Sequence, residues 1–260
     1  MMDELLSNFP AFLLILVRVT SFFLMLPLFS YRTIPTTFKV GLGFFLSLVM
    51  FWGMDVPVLT IDTSYYFLIL KEAIVGLLIG FAAYMLFAAI QIAGGFIDFQ
   101  MGFAIANVID PQTGMQSPLT GQYLTIIAMF FLLASNGHHL LLDGIYYSYQ
   151  FIPLEQPWIN LGNGELVEFL IKTFSLMFMI AFQMSIPVVG SIFLVDVGLG
   201  IVARTVPQLN IFVVGVPIKI IAGLVVLFIV MGVLMSTVSH LFSSIVTTMR
   251  GIMNILGGAG

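Results

Sequence analysis

Long stretches of apolar residues, separated by short polar connections, run through most of the chain. A helix that crosses a bilayer needs about 20 mostly apolar residues, and the sequence offers about six such stretches. We expect some of these helices to be broken, because Pro187 interrupts one of them. The stretches cover residues 10–29, 40–52 with a looser extension to 59, 65–93, 123–134, 166–195 and 211–235. The predicted fold class is therefore all-α, in a polytopic membrane protein with about six long hydrophobic helices.

Two further apolar segments are too short to cross a bilayer. They are Phe96–Ile109 and His138–Phe151. Short segments of this kind lie at membrane depth only where protein or a water-filled cavity satisfies their backbone, so we expect re-entrant or buried elements. In the second segment, Tyr146, Tyr147 and Tyr149 resemble the aromatic clusters that lie at a membrane interface.

The composition excludes several classes of protein. Of 260 residues, 60% are hydrophobic and only 8% charged, whereas soluble domains have about 45–50% apolar and about 25% charged residues. A soluble enzyme and a disordered chain are excluded on these values. The net charge of −4 and the lack of a basic stripe exclude a nucleic-acid binder. The count of zero cysteines excludes disulfides and thiolate chemistry.

Charge is distributed unevenly along the chain. Residues 1–196 hold 5 basic and 12 acidic groups, and residues 197–260 hold 3 basic groups and no acidic one. The pattern Gly198-x-Gly200-x-x-Ala203 formally matches a dinucleotide fingerprint. That fingerprint requires an acidic residue further along the chain, so we reject it.

Arg18 and Glu72 are charged residues within apolar stretches. Arg18 is midway along the first, where an unpaired charge would cost several kcal/mol, so it must face protein, water or a carboxylate. A role in gating and an ion pair with a partner subunit are both open. Glu72, Gly76 and Gly80 share one helix face, on which the glycines would allow close packing. Lys71 points roughly 100° away from Glu72, so we do not expect the two to pair.

A long polar loop without basic residues follows the third stretch. Asp98 and Gln100 precede it, and two of its prolines and several glycines indicate a defined shape. Loops of this length in compact proteins are usually functional or disordered. From the residues alone, a plug that occludes a pore and a plain connection outside the membrane are equally open. The candidate plug residues are Asn107, Asp110, Pro111, Gly114, Met115 and Pro118.

We predict no catalytic, cofactor or metal site and no enzymatic activity. His138 and His139 are adjacent, so their side chains diverge on a helix and chelate poorly. Ser191 follows Gly190, and His240 is available as a base, but no further pattern supports a hydrolase. Intramembrane hydrolysis is therefore a weak alternative.

The block from Gly198 to Lys219, with Arg204, Pro207 and Asn210 inside it, resembles the FliR family of flagellar export-gate proteins. The resemblance extends over essentially the whole chain. The other matching positions are Arg18, Pro27, Pro35, Lys39, Glu72, Gly76, Gly80, Asp98, Gln100, Gly102, Asp110, Pro111, Gly137 and His138.

The resemblance implies a subunit of the flagellar type III export gate, in the bacterial inner membrane at the flagellar basal body. It would form, with FliP, FliQ and FlhB, the channel for unfolded flagellar proteins. A FliP-like part over residues 1–160 would be joined to a FliQ-like hairpin and tail over 161–260, and 107–122 would be the plug. Asp98, Gln100 and Asp110 would position that plug. Polar and packing contacts between helices or subunits would involve Arg18, Glu72, Gly76, Gly80, Asp196, Arg204, Pro207, Asn210 and Lys219.

Two alternative functions stay open. A closely related protein serves in virulence injectisomes, and the sequence separates the two systems only weakly. A stand-alone secondary transporter with a ligand site at the membrane midplane is the other, and Glu72 and Arg18 would then be its ion-coupling residues.

Overall fold

A computed structural model describes residues 8–30, 34–103, 118–159, 164–208 and 210–258, and every regular element in these ranges is a helix. The apolar stretches predicted from the sequence therefore form helices, and the all-α class is confirmed. The eight helices in those ranges are α1 (Phe9–Met25), α2 (Pro27–Ser30), α3 (Thr36–Gly53), α4 (Thr63–Met101), α5 (Leu119–Ala134), α6 (Gly137–Phe151), α7 (Glu165–Thr205) and α8 (Ile211–Gly257).

Fewer helices than expected could cross a membrane. Among the described residues, α3, α4, α7 and α8 are long and apolar enough, and α5 with α6 could form a fifth span that is bent by 73°. The expected number of about six is not reached. Helix α1 has 17 residues, and at 1.5 Å per residue it is shorter than a hydrocarbon core of about 30 Å.

Three helices run further than the hydrophobic pattern predicts. Helix α4 continues to Met101, so the start of Phe96–Ile109 is not a separate element, and the rest of that segment lies outside the described residues. Helix α7 continues through Pro187, and α8 continues through Pro217 to Gly257. Proline lacks the N–H that would bond to the carbonyl four residues earlier, and it is tolerated within long apolar helices because neighbouring groups can satisfy that carbonyl.

The described chain divides into two compact units. Unit 1 comprises 1–86, 136–174 and 243–260, and unit 2 comprises 87–135 and 175–242. The predicted division at residue 160 follows chain order instead, and it stays a prediction.

In unit 1, α1 packs against α3 and α4. The Phe12 ring meets those of Phe44 and Phe51 edge to face, at 5.5 and 5.9 Å between centroids, which is a favourable geometry for aromatic pairs. Gly76 and Gly80 bring α4 against the backbone of α1, since a Cβ at Gly80 would lie 2.8 Å from the Phe22 carbonyl oxygen. The glycine face predicted from the sequence is thus a contact within the chain.

In unit 2, the end of α4 packs closely against α5. The backbones of Gly94 and Gly121 approach so closely that a Cβ at Gly94 would overlap the Gly121 backbone. Ile90, Ile97 and Leu124, on the same two helices, are buried. Gly94 therefore serves close packing, and it does not end the helix.

Candidate functional site

Arg18 and Glu72 form a fully buried ion pair in unit 1. Arg18 Nη2 donates to Glu72 Oε1 at 2.9 Å, and Arg18 Nε donates to Glu72 Oε2. Both side chains are 0% exposed. The guanidinium thus binds both carboxylate oxygens, which is the strongest arrangement available to this pair. The open question of the Arg18 partner is answered inside the chain, because helix α4 brings Glu72 against α1.

The remaining donors of Arg18 face helix α6 and the residue after it. Nη1 donates to Ser148 Oγ at 3.0 Å, and Nη2 also donates to the Ile152 carbonyl at 2.9 Å. The guanidinium lies 3.9 Å from the centroid of the Tyr149 ring, in a cation–π contact. Tyr149 is buried, and its ring covers a buried cation, whereas the interfacial aromatic cluster stays a prediction.

The expectation that Lys71 would not pair with Glu72 is also wrong. Lys71 Nζ lies 2.7 Å from Glu72 Oε1 and donates to the carbonyls of Pro153 and Leu154 at 2.9 and 3.2 Å. Helix geometry fixes only the direction of the Cβ, whereas the flexible four-carbon stem of lysine carries the ammonium group around the helix.

Together these residues form a buried cluster of two cations and one carboxylate. Both cations also bind carbonyl groups that follow the C-terminal end of α6, where the helix dipole favours positive charge. The cluster therefore joins α1 and α4 to the end of α6 and supplies hydrogen-bond donors to the carbonyls of Ile152, Pro153 and Leu154. We define the Arg18 cluster as Arg18, Lys71, Glu72, Ser148 and Tyr149.

Asp98 forms a second polar contact, in unit 2. Its two oxygens accept hydrogen bonds from the Thr120 backbone N–H at 3.2 and 3.1 Å, and Oδ1 also accepts one from Thr120 Oγ1. Asp98 is 2% exposed. Thr120 lies in the first turn of α5, where backbone N–H groups lack partners within the helix, so a carboxylate is favourable there. Pro118 immediately precedes this helix.

Asp196 joins three helices of unit 2. Its Oδ2 accepts a hydrogen bond from Gln100 Nε2 at 2.9 Å, and its Oδ1 lies 3.0 Å from Lys219 Nζ. The Lys219 and Asp196 side chains are 21% and 36% exposed, so solvent screens this pair more than the Arg18 pair. Gln100 lies on α4, Asp196 on α7 and Lys219 on α8.

The other predicted residues lie elsewhere or outside the described ranges. The Arg204 side chain is exposed near the end of α7, and Pro207 lies in the turn that follows. The Asn210 carbonyl accepts hydrogen bonds from Val213 and Val214 at the start of α8. The candidate plug residues other than Pro118 lie outside the described residues: Asn107, Asp110, Pro111, Gly114 and Met115.

The sequence analysis missed Lys71, Ser148 and Thr120 as members of these clusters. A weak signal existed for two of them, since Ser148 and Thr120 carry hydroxyl groups within apolar surroundings. Among the described residues, no group of three His, Asp or Glu side chains could share a metal ion. The ion pairs and hydrogen bonds of these clusters bind helices to one another.

Comparison with known proteins identifies the family. The family model described as "Bacterial export proteins, family 1" matches residues 9–245. The chain is 52% identical to flagellar biosynthetic protein FliR of Bacillus subtilis (strain 168), over 98% of this chain and 99% of that protein. It is 28% identical to FliR of Escherichia coli (strain K12), over 93% and 92% of the two chains. It is 32% identical to Yop proteins translocation protein T of Yersinia pestis, over 79% and 80%. The chain therefore belongs to the bacterial export proteins of family 1, and its resemblance to the FliR family is confirmed.

Proposed function

We propose that the chain is a subunit of the flagellar type III protein export gate, through which unfolded flagellar proteins leave the cytoplasm. The observation that carries the proposal is the 52% identity to a flagellar FliR over nearly the full length of both chains. The 32% identity to a Yop translocation protein covers less of the chain, so the flagellar system is favoured over a virulence injectisome.

The proposed partners are FliP, FliQ and FlhB in the bacterial inner membrane, at the flagellar basal body. Two long helices leave apolar surface that the rest of the chain does not cover, which is compatible with these partners. Of the most apolar stretch of each helix, 61% is buried in α4, but only 11% in α7 and 17% in α8. Exposure of so much apolar surface to water is unfavourable, so lipid or neighbouring subunits must cover it.

We infer the same internal division that the resemblance implies. Residues 1–160 would be the FliP-like part, and residues 161–260 would be the FliQ-like hairpin and tail. The two longest helices after residue 160, α7 and α8, are consistent with a hairpin. We propose no catalytic role for the chain, and the energy for export would come from other components of the apparatus.

We also propose that residues 107–122 form a plug in the closed channel. Residues 119–122 of this segment form the first turn of α5. The hydrogen bonds between Thr120 and Asp98 support the proposal, because they hold that end of the segment against α4. Asp98 and Gln100 would position the plug from the last turn of α4. Deletion of residues 110–116 should make assembled gates permeable to small solutes, and unchanged permeability would contradict the plug.

A stand-alone secondary transporter gains no support from the Arg18 cluster. Arg18 and Glu72 are fully buried and bind each other, so neither side chain is presented to a ligand. The direct test is affinity isolation of the tagged chain from membranes, with deletion of its gene as the second arm. We expect flagellar membrane subunits to co-purify and flagellar protein export to be lost. A monodisperse chain that transports a metabolite alone would refute the proposal.

A further inference from the structure

The last turn of α4 contacts three other helices of unit 2. Successive side chains on a helix point about 100° apart, so neighbouring residues of one turn can reach different elements. The contacts join Asp98 to Thr120 of α5, Gln100 to Asp196 of α7, and Met101 to Gly223 of α8. Met101 is 0% exposed, so this turn is enclosed on the side that faces α8.

Met101 occupies the space that the missing side chain of Gly223 leaves free. A Cβ added at Gly223 would lie 2.7 Å from Met101 Cε, 2.8 Å from its Cγ and 2.9 Å from its Sδ. The Cγ is only two bonds from the backbone, so rotation of the outer side chain alone would not relieve that contact. The pairing of a large and an absent side chain therefore fixes how α4 meets α8.

The methionine contact and the Asp196 contacts lie close together along α4 and along α8. Gln100 and Met101 are adjacent on α4, and Lys219 precedes Gly223 by four residues on α8, one turn away on the same face. Asp196 binds both Gln100 and Lys219 and so links the two helices through α7. The junction between α4 and α8 is therefore held by the packing of Met101 on Gly223 and, one turn away on α8, by the polar contacts of Asp196.

We propose that Met101 and Gly223 are positioning residues that fix the end of α4 against α8, and that this junction stays closed while substrates are exported. The second half of the proposal rests on the proposed function in export. Movements that open a channel would then take place elsewhere in the assembly, while the end of α4 would not move relative to α8.

A disulfide cross-link tests both halves. Met101→Cys and Gly223→Cys would introduce the chain's only cysteines, since the natural chain has none. A cysteine sulfur at 101 would take the place of Met101 Cγ, which is 2.8 Å from the Cβ position at 223. In a disulfide the corresponding distance between one Cβ and the other sulfur is about 3 Å. We expect an oxidant to form the bond in intact membranes, detected as a linked peptide by mass spectrometry.

Export should then continue at the rate of the reduced double variant. Each single cysteine variant cannot form this bond and controls for the oxidant, which should leave its own rate of export unchanged. Failure of the bond to form would contradict the contact between positions 101 and 223. Export that stops on oxidation and returns with a reductant would overturn the fixed junction, because it would show that the two positions must separate. Export that does not depend on this chain at all would instead refute the proposed function, and bond formation would still report on the contact.

A steric pair of variants provides an independent measurement. Gly223→Ala should lower export, because the added Cβ displaces Met101, whereas Met101→Ala in the same chain should restore it by making room. Equal loss in the single and the double variant would contradict a positioning role for this pair.

Discussion

Lys71 Nζ lies 2.7 Å from Glu72 Oε1, although the two residues are neighbours on one helix. The pair is completed by Arg18, which binds both oxygens of the same carboxylate. One buried carboxylate thus faces two cations. Since an unpaired buried charge is far more costly than a missing neutral contact, Glu72 should be the most sensitive position of the Arg18 cluster.

Glu72→Gln should destabilise the protein strongly. The substitution leaves both cations buried without a countercharge, and removal of one partner of a buried pair costs about 3–5 kcal/mol. The measurement is unfolding of the purified protein in detergent. Glu168→Gln is the matched control, because Glu168 pairs with Lys172 at 2.6 Å but both side chains are largely exposed. The control should change little, and equal effects of the two variants would contradict the importance of burial.

Arg18→Lys should not be a conservative change. A lysine cannot bind both oxygens of Glu72 while it also reaches Ser148 and the Ile152 carbonyl, and the contact with the Tyr149 ring would weaken. We expect a loss of about 1–3 kcal/mol in the free energy of unfolding, which is typical when buried hydrogen-bonding groups are left unsatisfied. Wild-type stability of the variant would show that charge alone, without the geometry of the guanidinium, is sufficient.

Gly80→Ala should lower the amount of folded chain in membranes. The added Cβ would lie 2.8 Å from the backbone oxygen of Phe22, so α4 would have to move away from α1. Gly41→Ala on α3 is the control, since nothing lies within 4 Å of a Cβ at that position. Immunoblots of membrane fractions measure both variants, because destabilised chains are removed by proteases. Similar levels of the two variants would exclude close packing at Gly80.

Asp98→Asn should weaken the attachment of α5 to the end of α4. One carboxylate oxygen becomes an amide nitrogen, which donates, so at least one of the hydrogen bonds that Asp98 accepts from Thr120 is lost, together with the negative charge beside the first turn of α5. A loss of about 1–3 kcal/mol is expected. The exposed Asp143→Asn serves as the control. If residues 107–122 form a plug, the Asp98 variant should also increase the leakage of solutes through assembled gates. A gate that stays tight would show that Asp98 attaches α5 without positioning the plug.

The helices could be predicted from hydrophobicity because each long apolar stretch needs a helix to satisfy its backbone. The residues at which the helices end were harder to predict. Helix α4 continues past Gly94 and Gly95 because Gly94 packs against Gly121, and no local pattern contains that distant contact. The same limit applies to the number of transmembrane helices, since hydrophobicity alone does not show whether α5 and α6 form one broken span.

The charged residues show a similar division between local and distant information. The sequence places Arg18 in an apolar stretch and so requires a partner, but it does not identify Glu72, which lies 54 residues away. Lys71 was misjudged for a different reason: its Cβ direction was known, whereas the path of its flexible side chain depends on the carbonyls of Pro153 and Leu154.

The position of those carbonyls has a consequence for biosynthesis. A ribosome makes Arg18, Lys71 and Glu72 well before it makes Ile152, Pro153 and Leu154, so the nascent chain holds two cations whose carbonyl partners do not yet exist. Water, lipid headgroups or an insertion factor must solvate or bind these cations during that interval. A polypeptide that stalls before residue 152 would display these charges to the quality-control proteases of the cell, whereas one that passes residue 154 can bury them.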